Sequence, residues 1–146
     1  MVTLENFDIR DINKILHGIT FEFAHVDDRR LLEECNRESD SWQRFNIFKG
    51  EVVLADHYHE GKNETFYFVE GSGIILLAHV DKNGVVIGDV ERVFVQPGTI
   101  MTIPPYMAHQ FVMEEGAYFV CYSTAPFDPN NKDLHPCKLT FDAGEE

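Results

Sequence analysis

Two histidines two residues apart, His57 and His59, precede a glutamate, Glu64, in the stretch ADHYHEGKNETFYFVEGSG at residues 55–73. On a β-strand the side-chain period is two, so both imidazoles leave one face with Cα atoms about 6.7 Å apart. That separation lets two ring nitrogens converge on one point. The segment EGKN supplies turn chemistry through Gly61 and Asn63, and the β-rich ETFYFVEG runs back as its hairpin partner. Glu64 opens the returning strand and comes back to the level of the histidines. Three groups with metal-ligand chemistry therefore meet near one hairpin, and the rest of the chain decides whether they hold a metal.

The elements that must position them read as nearly all β beyond residue 40. Short β-rich runs follow one another: SWQRFNIF, EVVLADHYH, ETFYFVEG, GIILLAHV, GVVIG, RVFVQ, TIMTIP, HQFVME and AYFVCYS. Turn signals separate them, among them FKGE, EGSG, DKNG, QPG, PPYM and EEGA. Many short strands with such punctuation predict a sandwich or barrel. By strand parity Phe66 and Phe68 share the face of Glu64, Phe111 shares that of His109, and Tyr67 points the other way. Before the strands, DIRDINKILHGI places Ile9, Ile12, Ile15 and Leu16 at helical spacing and predicts a short N-terminal helix. ITFEFAHV then alternates like a strand, and DPNNKD near the end reads as a loop leading to a short strap.

Composition narrows the function classes. The 146 residues, 44% hydrophobic, fit one domain with a real core. No apolar run is long enough to span a bilayer, and the start lacks the basic and apolar regions of a secretory signal. Cys35, Cys121 and Cys137 are odd in number without CxxC spacing, which suits reduced thiols in a cytoplasm. A net charge of −13, from 12 basic and 25 acidic residues, disfavours nucleic acid as a partner. An anionic small molecule stays open, because basic residues recur at Arg29, Arg30, Arg44, Lys49 and Lys62.

A second stretch, GTIMTIPPYMAHQFVM at residues 98–113, is a strand, a double-proline turn and a strand carrying His109. Together with the first it resembles the cupin family. The first motif of that family (HxH, three or four residues, Glu, six residues, Gly) is matched by His57, His59, Glu64 and Gly71. Gly98, Pro104 and His109 match the second motif in register, about 26 residues further on. Tyr106 replaces that motif's middle glycine, Met113 replaces its final asparagine, and Gly50 lies one residue further from the first histidine than the usual glycine. The resemblance implies an all-β jelly-roll barrel over the whole chain, with a barrel core at about 42–125. It also implies His57, His59, Glu64 and His109 as ligands of a divalent transition metal. Three imidazoles and a carboxylate suit Zn, Fe, Mn, Ni or Cu.

Within the family, DDRRLLE, FNIFKGEVVLADHYHEGKNETF, IPPYMAHQF and APFDPNNKD resemble the C-terminal cupin domain of capsular-polysaccharide assembling proteins. That domain epimerises a keto-sugar nucleotide beside its ketone. The joined reductase of those proteins would show a GxGxxG fingerprint, and this chain has none. Metal-assisted enolisation would need a proton-transfer group, for which Tyr106, Tyr67, Tyr58, Glu60 and Lys62 lie near the motifs; parity favours Tyr106 over Tyr67. Arg44 and Lys49 are the candidates to meet a substrate pyrophosphate. ETFYFVEGSG and IPPYMAHQFVMEE also resemble acireductone dioxygenases, which use Fe(II) or Ni(II) on the same four ligands, and a non-catalytic sugar-binding cupin is a third reading. All three expect a small-molecule ligand, no membrane and a cytoplasmic setting. A homodimer is expected as well, with the stretch before Asp27 available to cover sheet edges.

Overall fold

The computed structural model describes residues 19–141, so the predicted helix through Ile9, Ile12, Ile15 and Leu16 lies outside the described residues. Two antiparallel sheets make up the fold, and no helix occurs among the described residues. The first sheet runs in the order β1 (Phe23–Val26), β2 (Arg30–Asn36), β3 (Ser41–Ile47), β10 (Tyr118–Ser123), β5 (Glu64–Glu70) and β8 (Ile100–Ile103). The second runs β11 (His135–Pro136), β4 (Val53–Tyr58), β9 (Met107–Met113), β6 (Gly73–Val80) and β7 (Val86–Val95). Sheet pairing therefore extends from Phe23 to Pro136, beyond the expected core on both sides.

Alternation along each strand sorts side chains to two faces, and the second sheet uses both. Its inner face meets the first sheet in a core that includes Leu54, Phe66, Phe68, Ile75, Phe111 and Phe119. Phe66 and Phe111 lie 4.8 Å apart between ring centroids, and Phe45 stacks on Phe119 at 4.7 Å. As parity predicted, Phe66, Phe68 and Phe111 share this interior, whereas Tyr67 is exposed. The outer face carries a second cluster of Tyr58, Leu76, Ala78, Val80 and Ala108, covered by Leu139. The C-terminal strap thus packs on the outside of the sheet whose inside holds the histidines.

Two departures from the predicted elements have local causes. GVVIG and RVFVQ belong to one strand, because the step Leu77–His79 on β6 is matched by the longer step Ile87–Glu91 on β7. The bulge breaks the alternation without ending the pairing. RLLEECN forms β2 and pairs along β3 from Arg30↔Ile47 to Asn36↔Ser41.

Candidate metal centre

A β-bulge aims the first histidine. Leu54 pairs with Phe111 and His57 with His109, so three steps on β4 match two on β9. Without the extra residue His57 would face away from Leu54; with it, both face the interior. Ala55 and Asp56 absorb the bulge at φ 69° and 59°. The Asp56 carboxylate accepts the Gln110 side-chain amide at 2.8 Å and the Leu139 N–H at 3.3 Å, bonds that hold this left-handed turn in place.

The cross-strand pairing then brings the rings together. Centroids lie 4.7 Å apart for His57–His109, 4.8 Å for His57–His59 and 5.5 Å for His59–His109. One nitrogen from each ring falls within 4.8 Å of the others. Glu64, from the first sheet, places Oε1 3.0 Å from His59 Nε2 and 3.5 Å from His109 Nε2. His59, Glu64 and His109 are 5%, 5% and 1% exposed, so water does not reach them freely.

Backbone carbonyls select the tautomers. A carbonyl only accepts, so His59 donates Nδ1–H to the Asp133 carbonyl at 2.5 Å, and His109 donates Nδ1–H to that of Met107 at 3.1 Å. Each Nε2 then turns a lone pair toward the Glu64 carboxylate. His59 Nε2 and Glu64 Oε1 are buried without a hydrogen-bond partner. Two acceptors held this close in a dry site require a cation between them, either a proton or a metal ion. The donor set fits a divalent transition metal: three imidazoles and one carboxylate, with backbone carbonyls holding the far nitrogens of two of the rings.

Electrostatics keep the cluster in its ligating form. Burial, with His109 and His59 adding to it, depresses the His57 pKa to about 3. Burial also lowers that of His109, against the pull of Glu64. For Glu64, burial raises the pKa, but with a proton held in that gap the bond from His59 and the charges of His59, His109 and Lys62 outweigh it and bring it to about 2. The other Glu64 oxygen, Oε2, receives the buried Cys121 thiol at 3.9 Å. Burial pushes that thiol well up, which keeps it a proton donor.

The cluster lies on the wall of a cavity of about 250 Å³ between the sheets. Of the basic residues considered from sequence, Arg30 and Lys62 line it. Arg44 does not. Gln43 and Phe45 take the inner face of β3, so Arg44 points outward, forms a bidentate ion pair with Glu33 at 2.8–2.9 Å and covers the Phe21 ring at 4.5 Å. Lys49 is exposed in the turn before β4, whereas the histidines lie at that strand's far end. Tyr106 is also outside the cavity wall. It adopts φ 59°, the left-handed backbone that the motif glycine would take, and its ring joins the outer cluster. There it stacks on Tyr58 at 6.2 Å and donates its hydroxyl to Glu60 at 3.2 Å. Burial and Glu60 raise its pKa, a further argument against proton transfer by this phenol.

Two parts of the cavity went unread in the sequence. Besides Arg30, β2 contributes Leu32 and Glu34, and the stretch 125–134 contributes Asp128, Asn131 and Asp133. RLLEECN sets Leu31 beside Leu32 and Glu33 beside Glu34 instead of alternating, so it carried no period-two signal for the first. Glu34 is buried, and its carboxylate accepts the Gln43 amide at 3.2 Å.

Residues 25–135 match the model of the polysaccharide biosynthesis C-terminal domain family. A glucose-6-phosphate isomerase of Thermococcus gammatolerans is 31% identical over 128 residues, which cover 79% of this chain and 65% of the isomerase. The capsular polysaccharide assembling protein CapF from Staphylococcus aureus superposes with a TM-score of 0.67 at 22% identity, over 80% of this chain and 34% of CapF. An oxalate decarboxylase variant of Bacillus subtilis gives 0.60 at 16% identity, over 92% of this chain and 40% of its own. The chain thus spans less than two thirds of each of these relatives. The two solved structures speak for the fold, and the family match runs from β1 to β11. The chain has the cupin fold and belongs to the polysaccharide biosynthesis C-terminal domain family.

Proposed function

We propose that this cupin is a metal-dependent isomerase or epimerase that moves a proton beside the carbonyl of a sugar phosphate or keto-sugar nucleotide. The observation that carries this reading is the pair of orphaned buried atoms, His59 Nε2 and Glu64 Oε1, on the wall of a cavity that also presents Glu34 and Lys62. The relatives support a carbohydrate substrate, since one is named for glucose-6-phosphate isomerisation and another for capsular polysaccharide assembly. Aldose–ketose isomerisation and epimerisation beside a ketone share their first step, removal of a proton α to a carbonyl.

His57, His59, His109 and Glu64 would hold the metal, with zinc, iron, nickel or manganese all compatible with that donor set. When bound, such an ion supplies Lewis acidity toward a carbonyl oxygen and so lowers the pKa of the neighbouring C–H. Glu34 is our candidate to take the proton, because it lines the cavity and its side-chain hydrogen bonds among the described residues come from the amides of Gln43 and Asn36. Lys62 lies close enough for its charge to lower the Glu64 pKa, and it opposes negative charge developing on substrate oxygen. Arg30 offers a second cation on the same wall for a phosphate. The apolar walls, among them Leu54, Phe66 and Phe111, keep water from quenching the charge.

The test is incubation of the protein, after metal analysis, with hexose phosphates and with keto-sugar nucleotides in D₂O. Deuterium should enter at the carbon beside the carbonyl, and chelation should stop it. No incorporation from either substrate class, with oxygen uptake on an enediol such as acireductone, would replace this reading with a dioxygenase.

A further inference from the structure

The stretch APFDPNNKD, at residues 125–133, supplies none of the four candidate ligands, yet it reaches the centre of the site. Its last residue, Asp133, makes three hydrogen bonds to three consecutive residues of the HxH loop. Its carbonyl accepts His59 Nδ1–H at 2.5 Å, its Oδ1 accepts the Glu60 N–H at 2.7 Å and its Oδ2 accepts the Gly61 N–H at 2.8 Å. His135 adds a contact of 3.1 Å to Oδ1. The carboxylate thus grips the backbone of the loop, and that grip carries its own carbonyl to the imidazole. No other hydrogen bond to His59 Nδ1 is present among the described residues.

We infer that Asp133 is a positioning residue, which fixes the tautomer and ring orientation of His59 from a part of the chain 74 residues away. An imidazole held by its Nδ1–H must present Nε2 to the site, and a ring without that bond is free to exchange tautomers or to rotate. Both side-chain bonds go to main-chain donors, so any sequence at Glu60 other than proline accepts the clamp. The C-terminal strap is therefore part of the site as well as a cover for the outer sheet face. The inference rests on the metal reading only for the second of its two measurements.

The first measurement is the long-range ¹H–¹⁵N spectrum of His59 in metal-free protein at mildly alkaline pH. Wild type should show one tautomer, protonated at Nδ1. Asp133→Ala should show a mixture, and Asp133→Asn, which keeps one acceptor oxygen, should fall between. Leu139→Ala is the control, because it loosens the strap at its buried anchor without touching the loop. It should lower Tm and leave the tautomer alone. The second measurement is Co²⁺ titration, in which Asp133→Ala should raise Kd by about 10–100-fold and change the visible spectrum, whereas Leu139→Ala should do neither. A single Nδ1–H tautomer in Asp133→Ala, or equal effects from Leu139→Ala, would overturn the inference. Failure of wild type to bind Co²⁺ would instead count against the metal reading, and the tautomer comparison would still decide the role of Asp133.

Discussion

Glu34 and Tyr106 separate two accounts of proton transfer at the scale of single residues. The phenol of Tyr106 faces Glu60 on the outer side of the sheet, and the Glu34 carboxylate lines the cavity. Tyr106→Phe should therefore leave turnover within about twofold and cost less than about 1 kcal/mol, the worth of one exposed hydrogen bond. Glu34→Gln keeps the shape and removes the base, so proton exchange should fall by about 10²–10⁴-fold with metal content unchanged. Steady-state rates and metal analysis of the two variants check this, and the opposite ranking would return the role to Tyr106. His57 sets the response to acid. Its pKa is depressed by burial and by its two histidine neighbours from 6.5 to about 3. Between those values the unfolded chain binds a proton that the folded, metal-free chain refuses. The stability of the neutral site is complete above pH 6.5 and is lost as pH falls toward 3. Thermal unfolding of chelator-treated protein should show Tm dropping steadily below about pH 6.5. A flat profile across that window would contradict a half-buried, neutral His57.

At the scale of elements, period-two reasoning succeeded wherever strands are regular and failed at bulges and left-handed turns. His57 and His59 on one face, and Glu64 returning on the hairpin partner, were legible because β5 and the end of β4 keep their alternation. The bulge at Ala55–Asp56 was not, since neither residue is a glycine that would mark it. Tyr106 was misplaced because it lies close to His109 in the sequence: it shares parity with Ala108, and both belong to the cluster on the outer face. For Arg44 the missing knowledge was which face of β3 meets the second sheet, a matter of pairing between distant strands. Glu34 escaped notice because Arg30–Asn36 was not among the predicted strands. Two turns allow a test of how much geometry a motif glycine carries. Gly71 sits at φ 77° with the space for a Cβ filled by Ala117, 2.8 Å from its Cα. Gly98, at φ 95°, has nothing within 4 Å. Gly98→Ala should cost about 1–2 kcal/mol for backbone strain alone, and Gly71→Ala should cost that plus about 1–3 kcal/mol of overpacking. Denaturant unfolding measures both, and equal losses would show that the contact with Ala117 relaxes at no cost.

For the whole molecule, the open question is what covers the outer face of the six-stranded sheet. Tyr67 on β5 lies opposite Ile100 on β8, and they are 43% and 65% exposed, with Val69 beside them at 38%. Among the described residues β8 is also a free edge, with backbone donors and acceptors unpaired on one side. An apolar patch continuous with an unpaired edge suits isologous contact with a second copy, so the chain should form a homodimer through β5 and β8. Light scattering should return twice the chain mass of 16.8 kDa, and Ile100→Lys should return the single-chain value with the fold and metal content intact. Charge gives this prediction a second, independent readout. Each chain carries −13, so two copies repel, and salt at about 0.1 M shortens the reach of that repulsion to about 10 Å. The dimer should therefore weaken as ionic strength falls, the reverse of what an interface built on opposite charges would do. Sedimentation at low and moderate salt distinguishes the two: tighter association at low salt would mean that ion pairs, and not the Tyr67–Ile100 patch, hold the copies together.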